Sequence, residues 1–168
     1  MEPILYLSPE ELKQRVSSER RKLRRLLVKM QQTDRRLLDE RVHELHHQAF
    51  SQFSCLNCGN CCRSLGPRLT PSDIERMARF LKIRVADVYQ NYLAADEDGD
   101  TVFASMPCPF LGSDNHCSIY SHRPSACREY PHTDRKRFYQ ITELSLKNCE
   151  TCPVVYGIFT ALANELPA

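Results

Sequence analysis

Tryptophan is absent from the chain, glycine occurs only five times, and no apolar run approaches the roughly 18 residues of a membrane-spanning helix. Charge of one sign does not dominate either, since the formal net charge is +2 and the isoelectric point is about 8.1. This balance gives no argument for nucleic-acid binding. The sequence also lacks a glycine-rich phosphate loop and a Ser-x-Gly nucleophile elbow. We therefore expect no membrane span, do not favour nucleic acid as a partner, and find no motif that indicates an enzyme.

The length of 168 residues suits one ordinary domain, or a small domain with an appended element. A mean hydropathy of −0.48 and 26% charged residues indicate a modest core. The first residues, Met1–Leu7, are short, acidic and followed at once by charges, which is unlike a signal peptide. The expected location is therefore cytoplasmic.

Nine cysteines are several times the ordinary usage, and their odd number would leave one thiol outside a pure disulfide framework. In a reducing compartment, cysteines at short regular spacing favour metal binding over disulfides. All nine are candidate metal ligands: Cys55, Cys58, Cys61, Cys62, Cys108, Cys117, Cys127, Cys149 and Cys152.

The first four cysteines lie within the run Cys-Leu-Asn-Cys-Gly-Asn-Cys-Cys at 55–62. A gap of two residues lets two thiolates turn back onto one ion, and both zinc sites and iron–sulfur clusters use this spacing. Gly59 follows the second cysteine, where a tight turn favours a residue that tolerates positive φ. This loop is therefore the strongest metal-binding signal in the sequence.

The last two cysteines, Cys149 and Cys152, repeat the two-residue gap. Two such groups in separate parts of a chain often converge on one four-thiolate centre, and the binding free energy of the ion then becomes folding free energy. Nine thiols suffice for two four-cysteine centres with one left over, and we would leave out either Cys149 or Cys152. Spacing does not decide between zinc and iron, because thiolates bind both.

Two arginines flank Cys127. Arg123 and Arg128 either lower the pKa of the Cys127 thiol and donate hydrogen bonds near its sulfur, or form a surface ion pair with Glu129. Both interpretations stay open at this point.

Three histidines precede the first cysteine. His43 and His47 are four residues apart, so they share one face of a helix, and that spacing can hold zinc. The alternative for these two residues and His46 is an exposed polar helix face, which the abundance of nearby thiols favours.

The segment before residue 53 predicts a long helix or a helical hairpin. Ser8 as N-cap, Pro9 at the first helical position and Glu11 as the capping-box partner mark its start. The phase of the apolar stripe slips near Thr33, which predicts either a second helix capped by Thr33 or an uninterrupted helix. The stripe comprises Leu12, Val16, Leu23, Leu26, Leu27, Met30, Leu37, Leu38, Val42, Leu45, Ala49 and Phe50.

This arm is basic, with six cations in ten residues: Arg20, Arg21, Lys22, Arg24, Arg25 and Lys29. A solvated helix face is the simpler interpretation. The functional alternative is a docking surface for an acidic partner or nucleic acid, and the apolar stripe is long enough to permit self-association.

Shorter elements follow the first cysteine loop. Thr70 and Asp73 form an imperfect capping box at the start of a helix, and Val85 to Leu93 predicts another. The inward residues of that second helix are expected to be Val85, Val88, Tyr89 and Tyr92. The acidic run 96–100 predicts a turn rather than a calcium loop, because the downstream acidic ligand is missing.

Weak alternation predicts a strand at Thr101–Ser105. The turn residues at 112–115 allow a return strand at Cys117–Tyr120, and moderate alternation indicates a third strand at Phe138–Leu146. A last helix begins at Pro153, with its apolar residues inward: Val154, Val155, Ile158, Phe159, Leu162 and Leu166.

Taken together, the motifs resemble the CxxCxxCC cysteine-cluster family (YkgJ-like), a zinc- or iron-chelating domain. The matching stretches are Cys55–Cys62, Cys108–Leu111 and Cys117–Pro131, within a resemblance that covers roughly residues 53–153. The resemblance implies metal chelation by these cysteines. Some related sequences sit within flagellin lysine methylases, where the cysteines resemble iron–sulfur ligands, but no separate methyltransferase region is visible in this chain.

The expected fold is α+β: a small cysteine-rich, metal-stapled domain with short helices and a small antiparallel sheet at 53–168, after a charged amphipathic helical arm at 1–52. The favoured function is chelation of Zn²⁺ or Fe, as a single ion or a 4Fe-4S cluster. The alternatives are an iron–sulfur redox or transferase-type enzyme, and an interaction protein whose basic arm binds a partner. Metal ions are the expected ligands, and the arm is the candidate for a protein partner or self-association.

Overall fold

The computed structural model describes residues 7–166, so all but the last residue of Met1–Leu7 lies outside the described residues. The described chain is mostly helical, with N-terminal helices, a cysteine-rich part and one two-stranded antiparallel sheet, which confirms the predicted class. None of the helices between residues 7 and 166 combines the length and apolarity required to cross a bilayer.

The elements are, in chain order, α1 (Pro9–Ser18), α2 (Arg20–Gln32), α3 (Arg35–Phe50), α4 (Asn60–Ser64), α5 (Pro71–Leu81), α6 (Val85–Tyr92), β1 (Leu93–Ala95), β2 (Thr101–Phe103), α7 (Ser125–Glu129), α8 (Thr142–Asn148) and α9 (Pro153–Glu165). Short 3₁₀ turns occupy Cys55–Asn57, Tyr120–His122 and Phe138–Ile141.

The described residues form two compact units. The first unit consists of the described parts of 1–54 and 131–168, and the second unit is Cys55–Tyr130. These units do not coincide with the predicted division into 1–52 and 53–168, because the C-terminal helices α8 and α9 pack with α2 and α3. The functional division, with metal binding confined to 53–168, stays a prediction.

The N-terminal arm is three helices rather than one or two. The capping box at Ser8 is present, with the Ser8 amide donating to Glu11 at 2.8 Å. The helix breaks first at Glu19 and then at Thr33. Thr33 closes α2 instead of opening α3, because its hydroxyl donates to the carbonyl of Lys29 at 2.9 Å. The N-cap of α3 is Asp34, whose carboxylate accepts the free amides of Arg36 and Leu37.

Replacing Asp34 with Ala is expected to lower the free energy of unfolding by about 1 kcal/mol, because two amides in the first turn of α3 lose their acceptor. Chemical denaturation measures the loss. Glu40→Ala on the same helix is the matched control: it also removes a negative charge, but the only ion pair of Glu40 within residues 7–166 is an exposed one with Arg36 at 3.8 Å. Equal losses in the two variants would show that helix charge, not capping, is responsible.

The core of the first unit is built around α9. Val154, Val155, Ile158 and Phe159 have no solvent exposure, and helices that are apolar on every side are buried. α9 packs on α2, α3 and α8, so the apolar stripe of the arm is largely covered within its own unit. Leu37 is an exception, with 54% of its surface exposed, although the pattern placed it inward.

The predicted strand Phe138–Leu146 is wrong, because this segment is a 3₁₀ turn followed by α8. Its buried residues are Phe138, Thr142 and Ser145, which are four and three positions apart. That spacing is the period of a helix, whereas a strand alternates every second residue.

The second unit holds the sheet and a small core. β1 and β2 pair antiparallel, with Leu93 opposite Phe103, across a turn in which the Asp96 carboxylate accepts the amide of Asp100 at 2.8 Å. The predicted strand at Cys117–Tyr120 is wrong, because only a single bridge forms, between Leu111 and Cys117, before the chain enters a 3₁₀ turn. The core comprises Leu69, Ile74, Met77, Ala78, Val88, Leu93, Phe103, Phe110 and Ile119.

In α6, only part of the predicted inward face is buried. Val88 has no exposure, whereas Val85 and Tyr89 expose 40% and 45% of their surface. The buried face of this eight-residue helix is therefore narrow and is centred on Val88.

Candidate metal centre

The first cysteine loop turns at Gly59, as its position predicted. Gly59 has a φ of +60°, and a Cβ there would lie 2.7 Å from the Arg63 guanidinium. The amides of Cys58 and Gly59 both donate to the carbonyl of Cys55, at 3.1 and 2.9 Å. The loop therefore folds back on itself and leads into α4, the short helix that carries Cys61 and Cys62.

Cys108 is joined to this loop through the backbone. Its amide donates to the carbonyl of Cys62 at 2.8 Å. Cys117 follows on the far side of the turn at Gly112, opposite Leu111 in the isolated bridge. Cys127 lies in α7, where its amide donates to the carbonyl of Pro124 at 3.0 Å.

Four of these thiols interact with one another electrostatically: Cys62, Cys108, Cys117 and Cys127, which we call the thiol quartet. Burial raises the pKa of Cys108 to about 11, and negative charge on Cys62 and Cys117 adds to the effect. Burial likewise raises the pKa of Cys127 to about 12, with contributions from the other three members. The pKa of Cys117 is raised by burial and by Cys62. Every pair within the quartet therefore interacts.

Cys62 is the member with the lowered pKa. A contact with the neighbouring Cys61 thiol, whose sulfur lies 3.9 Å away, stabilises the Cys62 thiolate and lowers its pKa to about 7. The positive charges of Arg63 and Arg123 act in the same direction, against burial. Metal binding requires the deprotonated thiol, so Cys62 is the member of the quartet best prepared for it at neutral pH.

The two arginines beside Cys127 have different roles. The Arg123 guanidinium lies 3.8 Å from the centre of the Tyr120 ring and donates to the Tyr120 carbonyl at 2.9 Å. Its charge lowers the pKa of Cys127, as the sequence suggested, but burial is the larger effect and the net change is upward. Arg128 donates instead to the hydroxyl of Ser125 at 3.0 Å.

Two further thiols of the first loop also interact with Cys62, namely Cys61 and Cys55. The packing around the Cys55 sulfur raises its pKa, and the charges of Cys58 and Cys62 add to the effect, although the residue as a whole is exposed. Seven cysteines thus belong to the second unit, which is too few for two separate four-thiolate centres within it. The prediction of two such centres stays a prediction for the chain as a whole.

Cys149 and Cys152 belong to the first unit. Cys149 has no solvent exposure, and its thiol donates to the carbonyl of Ser145 at 3.5 Å. Burial raises its pKa well above the usual value, and Cys152 adds to that effect. Both residues are buried, Cys149 at the end of α8 and Cys152 at the start of α9.

The histidines at the end of α3 contact a loop of the same unit. His43 Nε2 lies 3.0 Å from the carbonyl of Arg135, and His46 Nδ1 lies 2.7 Å from the hydroxyl of the buried Thr133. His47 is exposed. Two of the three imidazole rings are therefore hydrogen-bonded to the 133–135 loop.

Among residues 7–166, no three His, Cys, Asp or Glu side chains are already gathered as ligands of one ion. The quartet is defined by charge interactions, which extend further than ligand bonds. Its chemistry nevertheless fits zinc or iron, because four thiolates from separate segments are the donor set of closed tetrahedral sites.

Asp73 was recognised from the sequence only as a capping residue. In the structure its carboxylate closes the capping box at Thr70 and also accepts the amide and hydroxyl of Ser125, at 3.0 and 2.9 Å. An aspartate in place of the usual Glu or Gln was the one available signal, but the contact with Ser125 spans 52 positions and has no sequence signature.

In the metal-free, reduced protein, we expect iodoacetamide to modify Cys62 before Cys108 and Cys127. The thiolate is the reactive form, and a lowered pKa means that the modification rate of Cys62 rises steeply between about pH 6 and pH 8. Mass spectrometry of peptides after timed quenching measures each rate. Cys55 is the internal control, since it is exposed but has a raised pKa. Faster modification of Cys55 than of Cys62 at pH 7 would contradict the lowered pKa of Cys62.

The model of one protein family matches residues 54–153, which is more than half of the chain. The family is described as "CxxCxxCC: Putative zinc- or iron-chelating domain". No curated protein and no solved structure matches the chain significantly.

Proposed function

The chain belongs to the CxxCxxCC family, and on this premise we propose that it binds one thiophilic metal ion, Zn²⁺ or Fe, through the thiol quartet. The observation that carries the proposal is the backbone hydrogen bond at 2.8 Å that joins Cys108 to Cys62, beside the bridge that holds Cys117 opposite Leu111. The mutual influence of the four thiols on their pKa values supports the same grouping. Cys62, Cys108, Cys117 and Cys127 would hold the ion as thiolates.

An ion held by the quartet would join segments that are far apart in the chain. The members of the quartet come from three separate segments, the end of the first loop, the 108–117 turn and α7, and the first two are tied by the hydrogen bond between Cys108 and Cys62. An ion bound by all four joins these segments. Because the segments are irregular and the core of the second unit is small, metal binding supplies much of the folding free energy of this unit.

An iron–sulfur cluster would use the same thiolates, since 4Fe-4S clusters are also held by four cysteines. A redox or transferase-type enzyme would then be the corresponding function. We place chelation first, because the matching family is described as zinc- or iron-chelating.

The test is metal analysis of protein purified without air. Elemental mass spectrometry and the visible spectrum are measured on the same sample. One zinc or iron per chain, with no acid-labile sulfide, supports the proposal. Iron with a matching amount of sulfide and a broad absorbance near about 400 nm supports the cluster alternative. Protein that is folded and reduced but holds no metal, even after incubation with Zn²⁺ or Fe²⁺, contradicts both.

A second function, binding of an acidic protein partner, rests on the exposed face of α2. The opposite face of this helix is buried. The face towards solvent carries five exposed cations: Arg20, Arg21, Lys22, Arg24 and Arg25. None of these five takes part in an ion pair found among residues 7–166. Exposed Val28 on the same helix adds apolar surface, which suits a protein better than a phosphate backbone.

The probe for this second function is a fluorescent polyglutamate peptide, with duplex DNA of equal charge as the comparison. We expect the peptide to bind in low salt and the Arg21→Gln/Arg24→Gln/Arg25→Gln variant to lose most of that binding. Stronger binding of the DNA would favour nucleic acid instead, and binding unaffected by the triple substitution would rule out this face.

A further inference from the structure

Asp73 is a charged side chain with no solvent exposure, in the first turn of α5. Burial acts against its ionisation, but hydrogen bonds with Arg76, Thr70 and Ser125 outweigh burial and hold its pKa well below the usual range. The carboxylate is therefore negative at any physiological pH, in the middle of the second unit.

The two carboxylate oxygens serve different segments of the chain. Oδ2 accepts the Thr70 amide at 3.0 Å and the Thr70 hydroxyl at 2.7 Å, which caps its own helix. Oδ1 accepts the Ser125 amide at 3.0 Å and the Ser125 hydroxyl at 2.9 Å. The second pair of bonds ties α5 to the first residue of α7.

Arg76 reinforces the same attachment. Its Nη2 donates both to Oδ1 of Asp73 and to the carbonyl of Arg123, the latter at 3.0 Å. Arg123 and Ser125 are separated only by Pro124, whose ring restricts the backbone further. The Asp73–Arg76 ion pair thus fixes the backbone on both sides of Pro124, and we call it the Asp73–Arg76 clamp.

The clamped segment carries two groups that act on the quartet. Cys127 lies two residues after Ser125, in the turn that begins with the bond to the Pro124 carbonyl. The Arg123 guanidinium lies over the Tyr120 ring, and its charge lowers the pKa of Cys62 and partly offsets the rise in the pKa of Cys117 and Cys127.

We infer that the Asp73–Arg76 clamp is a positioning device for the proposed metal site, which places Cys127 and Arg123 against the other thiols of the quartet. The inference rests on the proposed function. Capping of α5 alone does not explain the clamp, because an exposed Ser or Thr cap needs no buried charge, and burying an ion pair is costly unless its geometry is well satisfied. Residues that hold metal ligands in place commonly contribute about 10- to 100-fold to metal affinity.

Two single substitutions separate positioning from stability. Ser125→Ala and Thr70→Ala each remove one hydroxyl that donates to the Asp73 carboxylate, but only Ser125 lies on the segment that carries Cys127. Both variants keep the buried ion pair, so both are expected to fold. Competition with a chromophoric chelator measures the metal dissociation constant of the purified protein, and peptide mass spectrometry measures the rate of Cys127 alkylation in the metal-free form.

For Ser125→Ala we expect the dissociation constant to rise about tenfold and the alkylation rate of Cys127 to rise several-fold. For Thr70→Ala we expect both quantities to stay close to wild type.

Equal changes in Ser125→Ala and Thr70→Ala, or no change in either, would overturn the inference, since a purely stabilising carboxylate would respond to both in the same way. If the wild-type chain binds no metal, the proposed function fails, and the alkylation rates of Cys127 in the metal-free variants then decide for or against the clamp by themselves.

Discussion

Replacing Cys62 with Ser is expected to raise the metal dissociation constant at least a hundredfold. Structural zinc sites contribute about 10–16 kcal/mol in total, so loss of one of four thiolates costs about 3 kcal/mol or more. Cys62 is the most informative member to replace, because it is the member whose pKa is lowered and its carbonyl accepts the amide of Cys108. Chelator competition, together with the metal content of the purified variant, measures the effect.

Cys58→Ser is the matched control for this prediction. It makes the same chemical change in the same loop, but the Cys58 thiol interacts with Cys55 and is not a cause of the pKa shifts in the quartet. We expect Cys58→Ser to retain metal with an affinity within a few-fold of wild type. A loss as large as that of Cys62→Ser would show that the first loop, not the quartet, is the primary site.

Removing the metal is expected to unfold the second unit while the first unit stays folded. The second unit is held by a small core, one two-stranded sheet and irregular segments, so it depends on the ion for much of its stability. The first unit has a larger core around α9, and the quartet is not part of it. Hydrogen exchange after treatment with a chelator under reducing conditions should show loss of protection in α5, α6 and the sheet, but not in α2, α3 or α9.

Readdition of one equivalent of Zn²⁺ should restore that protection, and Cys62→Ser protein should resemble the chelated wild type before any chelator is added. Protection that is lost in both units together would mean that the chain unfolds as one cooperative body. Unchanged protection in α5 and α6 would mean that the metal contributes little to folding, contrary to the proposed function.

Local sequence signals predicted the helix starts well. The capping boxes at Ser8 and Thr70 and the positive φ of Gly59 all depend on residues within a few positions, and all three are present. The segment at 138–146 was misread because moderately apolar residues there fit an alternating pattern as well as a helical one. Burial selected the helix, since Phe138, Thr142 and Ser145 face the core.

The arrangement of the thiols was only partly predictable. The sequence identified every cysteine as a candidate, and the repeated two-residue gap indicated that groups from separate parts of the chain converge on one ion. In the structure Cys62 contacts its neighbour Cys61 and also interacts with three cysteines that lie 46 or more positions away in the sequence. Such pairings depend on backbone contacts like that of Cys108 with Cys62, and on the Asp73 bonds to Ser125, neither of which has a local signature.

The first unit is assembled from both ends of the described chain, with the whole of Cys55–Tyr130 between them. On the ribosome, α1 to α3 therefore emerge long before α9, the helix that covers their apolar stripe. All seven cysteines of the second unit have by then been synthesised, so the residues of the proposed metal site are complete before α9 is made. We therefore expect newly made chains to pass through a stage in which the second unit can fold while the leucines of α2 are still uncovered.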